Sequence, residues 1–198
     1  MAGRTGAKTP LTSLHDVELA ALAAAGGRDA FGELVRRHSS AVRALLRRMG
    51  AEAALADDLA QDAFLAAYER IAEFRGEGAF AGWIKRIAAR LYLKRWKRRA
   101  RLDPVADSED APENLSEGEG EAAQRLDLDS ALAALSAAER LCVSLCYGAG
   151  LSHTETAQTL NVPLGTVKSH VKRGMDKLKQ RLVTADSADD PAGRRTHG

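Results

Sequence analysis

Residues 103–121, DPVADSEDAPENLSEGEGE, hold eight acids and no base, with no apolar periodicity. A run this polar, and this rich in Pro, Ser and Gly, buries too little apolar surface to offset the entropy of ordering it. Whatever folds must therefore fold on either side of it. The run divides the 198-residue chain into two parts, each long enough for a small domain. We place an N-terminal domain at residues 14–101 and a flexible acidic linker at 102–124. A C-terminal domain takes 125–183, and a disordered tail, TADSADDPAGRRTHG, takes 184–198.

The segment just before the linker has the opposite character. Residues 85–101, KRIAARLYLKRWKRRAR, hold nine Lys or Arg and no acid. The net charge of +2 thus comes from two opposed blocks placed end to end.

Neither part shows the strict alternation of a strand. In the first, Leu14 to Ala25 reads as a helix stopped by Gly26 and Gly27. Phe31, Leu34, Val35, His38, Val42, Leu45, Leu46 and Met49 keep a three-four spacing that Gly50 ends. Leu55, Leu59, Ala63, Leu65, Tyr68 and Ile71 suggest a third helix. Phe80, Trp83, Ile84, Ile87, Ala88 and Leu91 set the inner face of a fourth. The fold class expected is all-α, two small helical domains joined by the acidic linker.

The second part carries two helix-start signals. Ser136–Glu139 and Ser152–Glu155 both match the capping box, in which Ser and Glu satisfy unpaired helix amides reciprocally. Helices should begin near residues 137 and 153. The later one is short and ends by Leu160. Asn161, Val162 and Pro163 form a turn, since Asn tolerates the left-handed conformation and Pro suits a helix start. A longer helix then runs from about 164 to 182, with Val167, Val171, Met175, Leu178 and Leu182 as its inward stripe. Ala157, four residues before Asn161, is small where two helices cross steeply. This arrangement is a helix-turn-helix. In that motif the start of the second helix enters the major groove, where short side chains let the backbone approach. Leu164, Gly165, Thr166, Lys168, Ser169, Lys172 and Arg173 are the candidate DNA contacts, with Lys and Arg suited to phosphates or guanine edges.

The basic block has a companion signal. Five aromatics, Phe74, Phe80, Trp83, Tyr92 and Trp96, fall between residues 74 and 96. Interleaved cations and rings suit single-stranded nucleic acid, where bases stack and phosphates pair with charge. Phe80 and Trp83 lie on the apolar face and read as core, which leaves Tyr92 and Trp96 as stacking candidates. The loop FRGEGAFAGW is either a grip for an unstacked base or a plain helix connection.

No metal or other cofactor is expected. Cys142 and Cys146, with His153, give three ligands where a structural zinc site usually takes four, so the cysteines read as small buried hydrophobes. The chain has no apolar leader and no apolar run of membrane-spanning length. We therefore expect a cytoplasmic protein without membrane insertion. Gly-rich phosphate loops, His-Glu metal pairs and nucleophile elbows are lacking from the sequence, so an enzyme is not expected.

Three stretches together resemble a known family: DAFGELVRRH, DDLAQDAFLAAYERIAEFRGEGAFAGWIKRIA and LSHTETAQTLNVPLGTVKSHVKRGMDKLKQRL. They look like the two conserved regions of bacterial RNA polymerase sigma factors, in the layout of the small extracytoplasmic-function (ECF) group. The resemblance spans about residues 14–101 and 125–183. It implies binding to RNA polymerase core, promoter recognition and strand opening, with catalysis left to the polymerase. It puts Asp58, Leu59, Gln61, Asp62, Phe64 and Leu65 against a coiled coil of the largest polymerase subunit, with the flap as a second contact. It assigns Arg75, Gly76, Lys85, Arg86, Arg90, Tyr92, Lys94, Trp96, Lys97 and Arg98 to the -10 element and its melted strand. The second helix of the helix-turn-helix would read the -35 duplex, and the linker would pass near the RNA exit path. An anti-sigma factor is a further implied partner. The chain departs from the family at Arg90, where Asn is common, and at Lys94, where an acid is common. The alternative reading is a free-standing helix-turn-helix regulator, since GTVKSHVKR also resembles response-regulator DNA-binding domains. That reading predicts an α/β receiver upstream, which the helical N-terminal pattern does not match.

Overall fold

The computed structural model describes residues 10–76, 79–102 and 128–188. Among the described residues there is no strand, so the all-α expectation stands. The linker region, apart from Leu102, and residues 189–198 of the expected tail lie outside the described residues.

Helix α1 spans Asp16–Ala24, α2 Arg28–Arg48, α3 Ala53–Glu69 and α4 Phe80–Leu102. The breaks fall where the chain must turn back sharply. Gly26 at φ +94° and Gly50 at φ +105° take conformations that a side chain would strain. Helix α2 is the central element: α1, α3 and α4 all pack on it. Leu19, Leu34, Val42, Leu46 and Ile84 are fully buried there, and Phe80 is 1% exposed. Phe80, a core ring as expected, packs at 5.5 Å from Phe74 and 5.6 Å from Trp83, both of which are partly buried against the cluster.

One guanidinium ties the chain's entry to this bundle. Arg37 donates to the carbonyls of Leu11, Thr12 and Leu14 and to the carboxylates of Asp16 and Glu33. Glu33, itself buried, also takes two bonds from Arg36. Hydrogen bonds from Arg36 and then Arg37 hold its pKa down at about 2.

The second half continues with a helical turn at residues 128–133 (α5), then α6 at Ala137–Val143, a π-helical turn at Ser144–Gly148, α7 at His153–Leu160 and α8 at Leu164–Ala188. Both expected capping boxes form, and α6 and α7 start at residues 137 and 153 as read from the sequence. Helix α8 is longer than expected. It carries on through residues 184–188, where the sequence reading began a disordered tail. Nothing in the backbone of that stretch breaks a helix: it lacks Gly and Pro, which first recur beyond it.

The two helical domains pack against each other. Leu141, Leu145, Ala149 and Leu151 belong to the same buried cluster as the residues of α2 and α4. The helix-turn-helix keeps its own smaller core of Cys142, Ala157, Val167 and Val171.

Candidate nucleic-acid interface

The helix-turn-helix is built from local chemistry. Asn161 sits at φ 58°, ψ 47°, the left-handed conformation that lets α7 stop and the chain reverse. The Val162 amide bonds back to the Ala157 carbonyl at 3.1 Å. The Pro163 carbonyl accepts from Thr166 at 3.0 Å, opening α8. Val167 and Val171 are buried beneath α8, while Lys168, Ser169, Lys172 and Arg173 are exposed. Leu164 is 37% exposed, and no neighbouring atom lies within 4 Å of where a Gly165 side chain would begin. The leading edge of the helix is therefore open to close approach. Thr166 is half-buried beside it.

Two features of this face escaped the sequence reading. Arg173 is tied back to the scaffold, 3.1 Å from His170 Nδ1 and 3.7 Å from Glu139. Glu139 also accepts from Lys177 at 2.7 Å. Burial pushes its carboxyl up, but the Lys177 and Ser136 bonds outweigh that and hold it below its ordinary value. Gly174 is the second. A side chain there would begin 2.8 Å from Val143 Cγ2, so α6 and α8 touch through a missing side chain. A Gly inside a basic helix was the available signal.

Helix α4 and the loop before it place the other candidates along a longer face. Arg75, Arg86, Arg90, Lys94 and Arg98 are exposed, and Trp96 is 43% exposed. Lys85, Gly76 and Lys97 are half-buried. Gly76, at φ +74°, approaches Val17 of α1, where a Cβ would meet Val17 Cγ1 at 3.2 Å. Two cations bond across to the second half: Arg86 to the Gly150 carbonyl at 3.0 Å and Lys97 to the Thr159 carbonyl at 2.7 Å. Tyr92 corrects the sequence reading. It is 8% exposed and its hydroxyl donates to the Met49 carbonyl at 2.9 Å, so its ring packs in the core and offers no face to a base. At the helical step of about 100° per residue it falls beside Ala88, while Arg86, Arg90, Lys94 and Arg98 lie about 120° or more away around the helix.

Helix α3 divides in the same way. Asp58, Gln61 and Asp62 are exposed, and Leu65 is 58% exposed. Leu59 and Phe64 are corrections: at 4% and 6% exposure they face the bundle, and Phe64 meets the Phe31 ring edge-on at 6.5 Å. The sequence reading also missed Tyr68, 38% exposed. It follows Gln61 and Leu65 at seven and three residues, on the same side.

The cysteines are structural in their surroundings. Burial, then the neighbouring Cys146, pushes the Cys142 thiol up to about 11. Burial likewise raises Cys146, whose sulfur lies 3.4 Å from the Thr156 hydroxyl. Both therefore stand as thiols rather than as reactive thiolates.

The family models described as Sigma-70 region 2 and Sigma-70, region 4 match residues 34–102 and 131–180. The ECF RNA polymerase sigma factor SigM of Mycobacterium tuberculosis is 34% identical over 167 residues, covering 84% of each chain. SigE of Mycolicibacterium smegmatis, also an ECF RNA polymerase sigma factor, is 34% identical over 164 residues. That match covers 78% of this chain and 62% of SigE. The structure of CnrH in complex with the cytosolic domain of CnrY matches with 31% identity and a TM-score of 0.51, over 86% of this chain and 98% of that one. Two matched regions in order, and a helix-turn-helix inside the second, place the chain in one group: it belongs to the ECF RNA polymerase sigma factors, which bind RNA polymerase and direct transcription initiation.

Proposed function

We propose that this chain acts as an alternative sigma factor through a division of labour among its helices. Helix α8 reads the -35 duplex with Leu164, Gly165, Thr166, Lys168, Ser169 and Lys172, and Arg173 adds to the field beside them. The loop at Arg75 and Gly76 and helix α4, through Lys85, Arg86, Arg90, Lys94, Trp96, Lys97 and Arg98, hold the -10 element and its melted strand. Helix α3 docks on the largest-subunit coiled coil of core polymerase through Asp58, Gln61, Asp62 and Leu65, and the C-terminal domain meets the flap. Residues 14–101 and 125–183 are the two working domains, and 102–124 joins them. The chain supplies binding energy and strand capture; it catalyses no reaction itself and works in the cytoplasm. No helix among the described residues is long and apolar enough to cross a membrane. CnrH was solved with a protein partner, which supports an anti-sigma factor as a regulator of this chain too.

The observation that carries the reading is the start of α8. Its backbone is open at Gly165, its cations are exposed, and Val167 and Val171 are buried directly behind them. That is the geometry of a helix presented to a major groove. Co-purification with RNA polymerase core tests the proposal, using the intact chain and an Asp62→Ala, Leu65→Ala variant. Binding by the intact chain and loss in the folded variant is the expected result. A chain that binds duplex DNA but never core polymerase would instead be a free-standing regulator.

A further inference from the structure

The same helix cap occurs twice in the second half, in two different settings. At Ser152 the box leaves Glu155 exposed. At Ser136 it sinks Glu139, which is 4% exposed. Capping does not require that burial, as Glu155 shows, and burial disfavours a charged carboxylate. The close approach comes from Gly174. A Cβ there would lie 2.8 Å from Val143 Cγ2 and 3.6 Å from Glu139 Cβ, so the absent side chain lets α6 lie against α8 at this point. The Glu139 carboxylate thereby faces two cations of α8. Its Oε2 accepts from the Ser136 amide at 3.2 Å and from Lys177 at 2.7 Å. Its Oε1 lies 3.7 Å from Arg173 Nε.

Arg173 is held along one edge. Its Nε faces Glu139 and its Nη2 donates to His170 Nδ1 at 3.1 Å, so both supports meet the same edge of the guanidinium. The far end, Nη1 and the second N–H of Nη2, bonds nothing among the described residues, and the side chain is 59% exposed. Arg173 also follows Ser169 by four residues, on the same face of α8. A planar fork whose direction is set matches the paired O6 and N7 acceptors of guanine, whereas a lone ammonium meets phosphates from many directions.

We propose that Glu139 is a positioning residue for base reading: from α6, outside the helix-turn-helix, it sets the Arg173 fork so that its far end meets a guanine in the -35 duplex, with His170 as the second support. The proposal rests on the reading of α8 as the -35 helix. It makes discrimination at one base pair depend on a buried carboxylate that touches no DNA.

The test presents the full chain with a library of duplexes randomised over one helical turn, and the bound and input pools are sequenced. Wild type should favour guanine at one position, and Arg173→Ala should lose that preference while keeping the others. Glu139→Gln removes the charge but still completes the cap, since the box accepts either residue. It should lower the guanine preference about tenfold, within the span of one bidentate arginine–guanine pair. In the Arg173→Ala background it should change nothing further. Affinity for the unselected pool, which phosphates dominate, should not fall. A guanine preference unchanged in Glu139→Gln overturns the proposal. So does an equal loss at every position, or a further loss in the Arg173→Ala background, since a merely structural role predicts both. Should circular dichroism show that Glu139→Gln has lost helix, His170→Ala decides: it leaves α6 and its cap alone, and an unchanged guanine preference there overturns the proposal too. A wild-type pool with no enriched base is a different result, which removes the -35 reading of α8 and the positioning role with it.

Discussion

Helices α4 and α8 are both long and basic, yet their charges meet different things. On α4, Ile84, Ala88 and Leu93 sink into the main core while Arg86 and Lys97 reach carbonyls of the other half. On α8, Val167 and Val171 anchor a small core of their own, and Lys168, Ser169 and Lys172 stand in solvent at its leading edge. A count of positive residues would rank α4 first as a nucleic-acid binder. The surroundings reverse part of that ranking, because a cation already bonded within the chain must be released before it can serve a ligand. Charge identifies where binding is possible, and the partners of the charge decide in which state.

This contrast can be broken at its anchors. Phe80→Ala removes the ring that joins α4 to Phe74 and Trp83, and should cost about 3–5 kcal/mol of stability in denaturant unfolding. Val167→Ala, the matching deletion under α8, removes far fewer atoms and should cost about 1–3 kcal/mol. Equal losses at the two sites would mean that the small core contributes more than its size suggests. The contrast sharpens at Lys172→Ala, which should weaken -35 duplex binding by about 1–3 kcal/mol where it reads a base. Should it meet only phosphate, binding weakens alike on matched and scrambled duplexes and the salt slope drops by about 1. Ser152→Ala removes the cap of α7 and should lower stability by about 1 kcal/mol, with DNA affinity falling no further than the unfolded fraction accounts for.

Acid separates the main core from the smaller one most gently. The folded-state pKa of Glu33 is about 2, below its ordinary 4.5. Its contribution is thus fully present above about pH 5 and is lost as pH falls toward 2. Melting wild type beside Glu33→Gln should show a constant gap at neutral pH that closes through the acid range. A gap that persists unchanged at pH 2 would refute the role of the Arg36 and Arg37 bonds.

Short-range chemistry made much of this readable in advance. The boxes at Ser136 and Ser152 and the reversed Asn161 depend on residues within four positions of one another, and all three formed where expected. The outward face of α8 followed from its own periodicity. What depended on distant partners did not show. Leu59, Phe64 and Tyr92 lie on amphipathic helices whose small alanines widen the buried arc, so the boundary between inner and outer faces shifted by a residue or two. The contacts between the two domains join residues separated by more than 60 positions, as in Arg86 to Gly150, and nothing local in either segment announces the other. Arg173 was assigned correctly to an exposed position, but its bond to His170 and its pairing with Glu139 on α6 became visible only in three dimensions.

The five acceptors of Arg37 set a boundary for shortening the protein. Four of them, on Leu11, Thr12, Leu14 and Asp16, come from a stretch of six residues, and only Glu33 lies within α2. Trimming or proteolysis up to Pro10 leaves every one of those bonds in place. A cut beyond Asp16 strips the guanidinium of four of its five acceptors, so tolerance to truncation should fall steeply between Leu11 and Asp16.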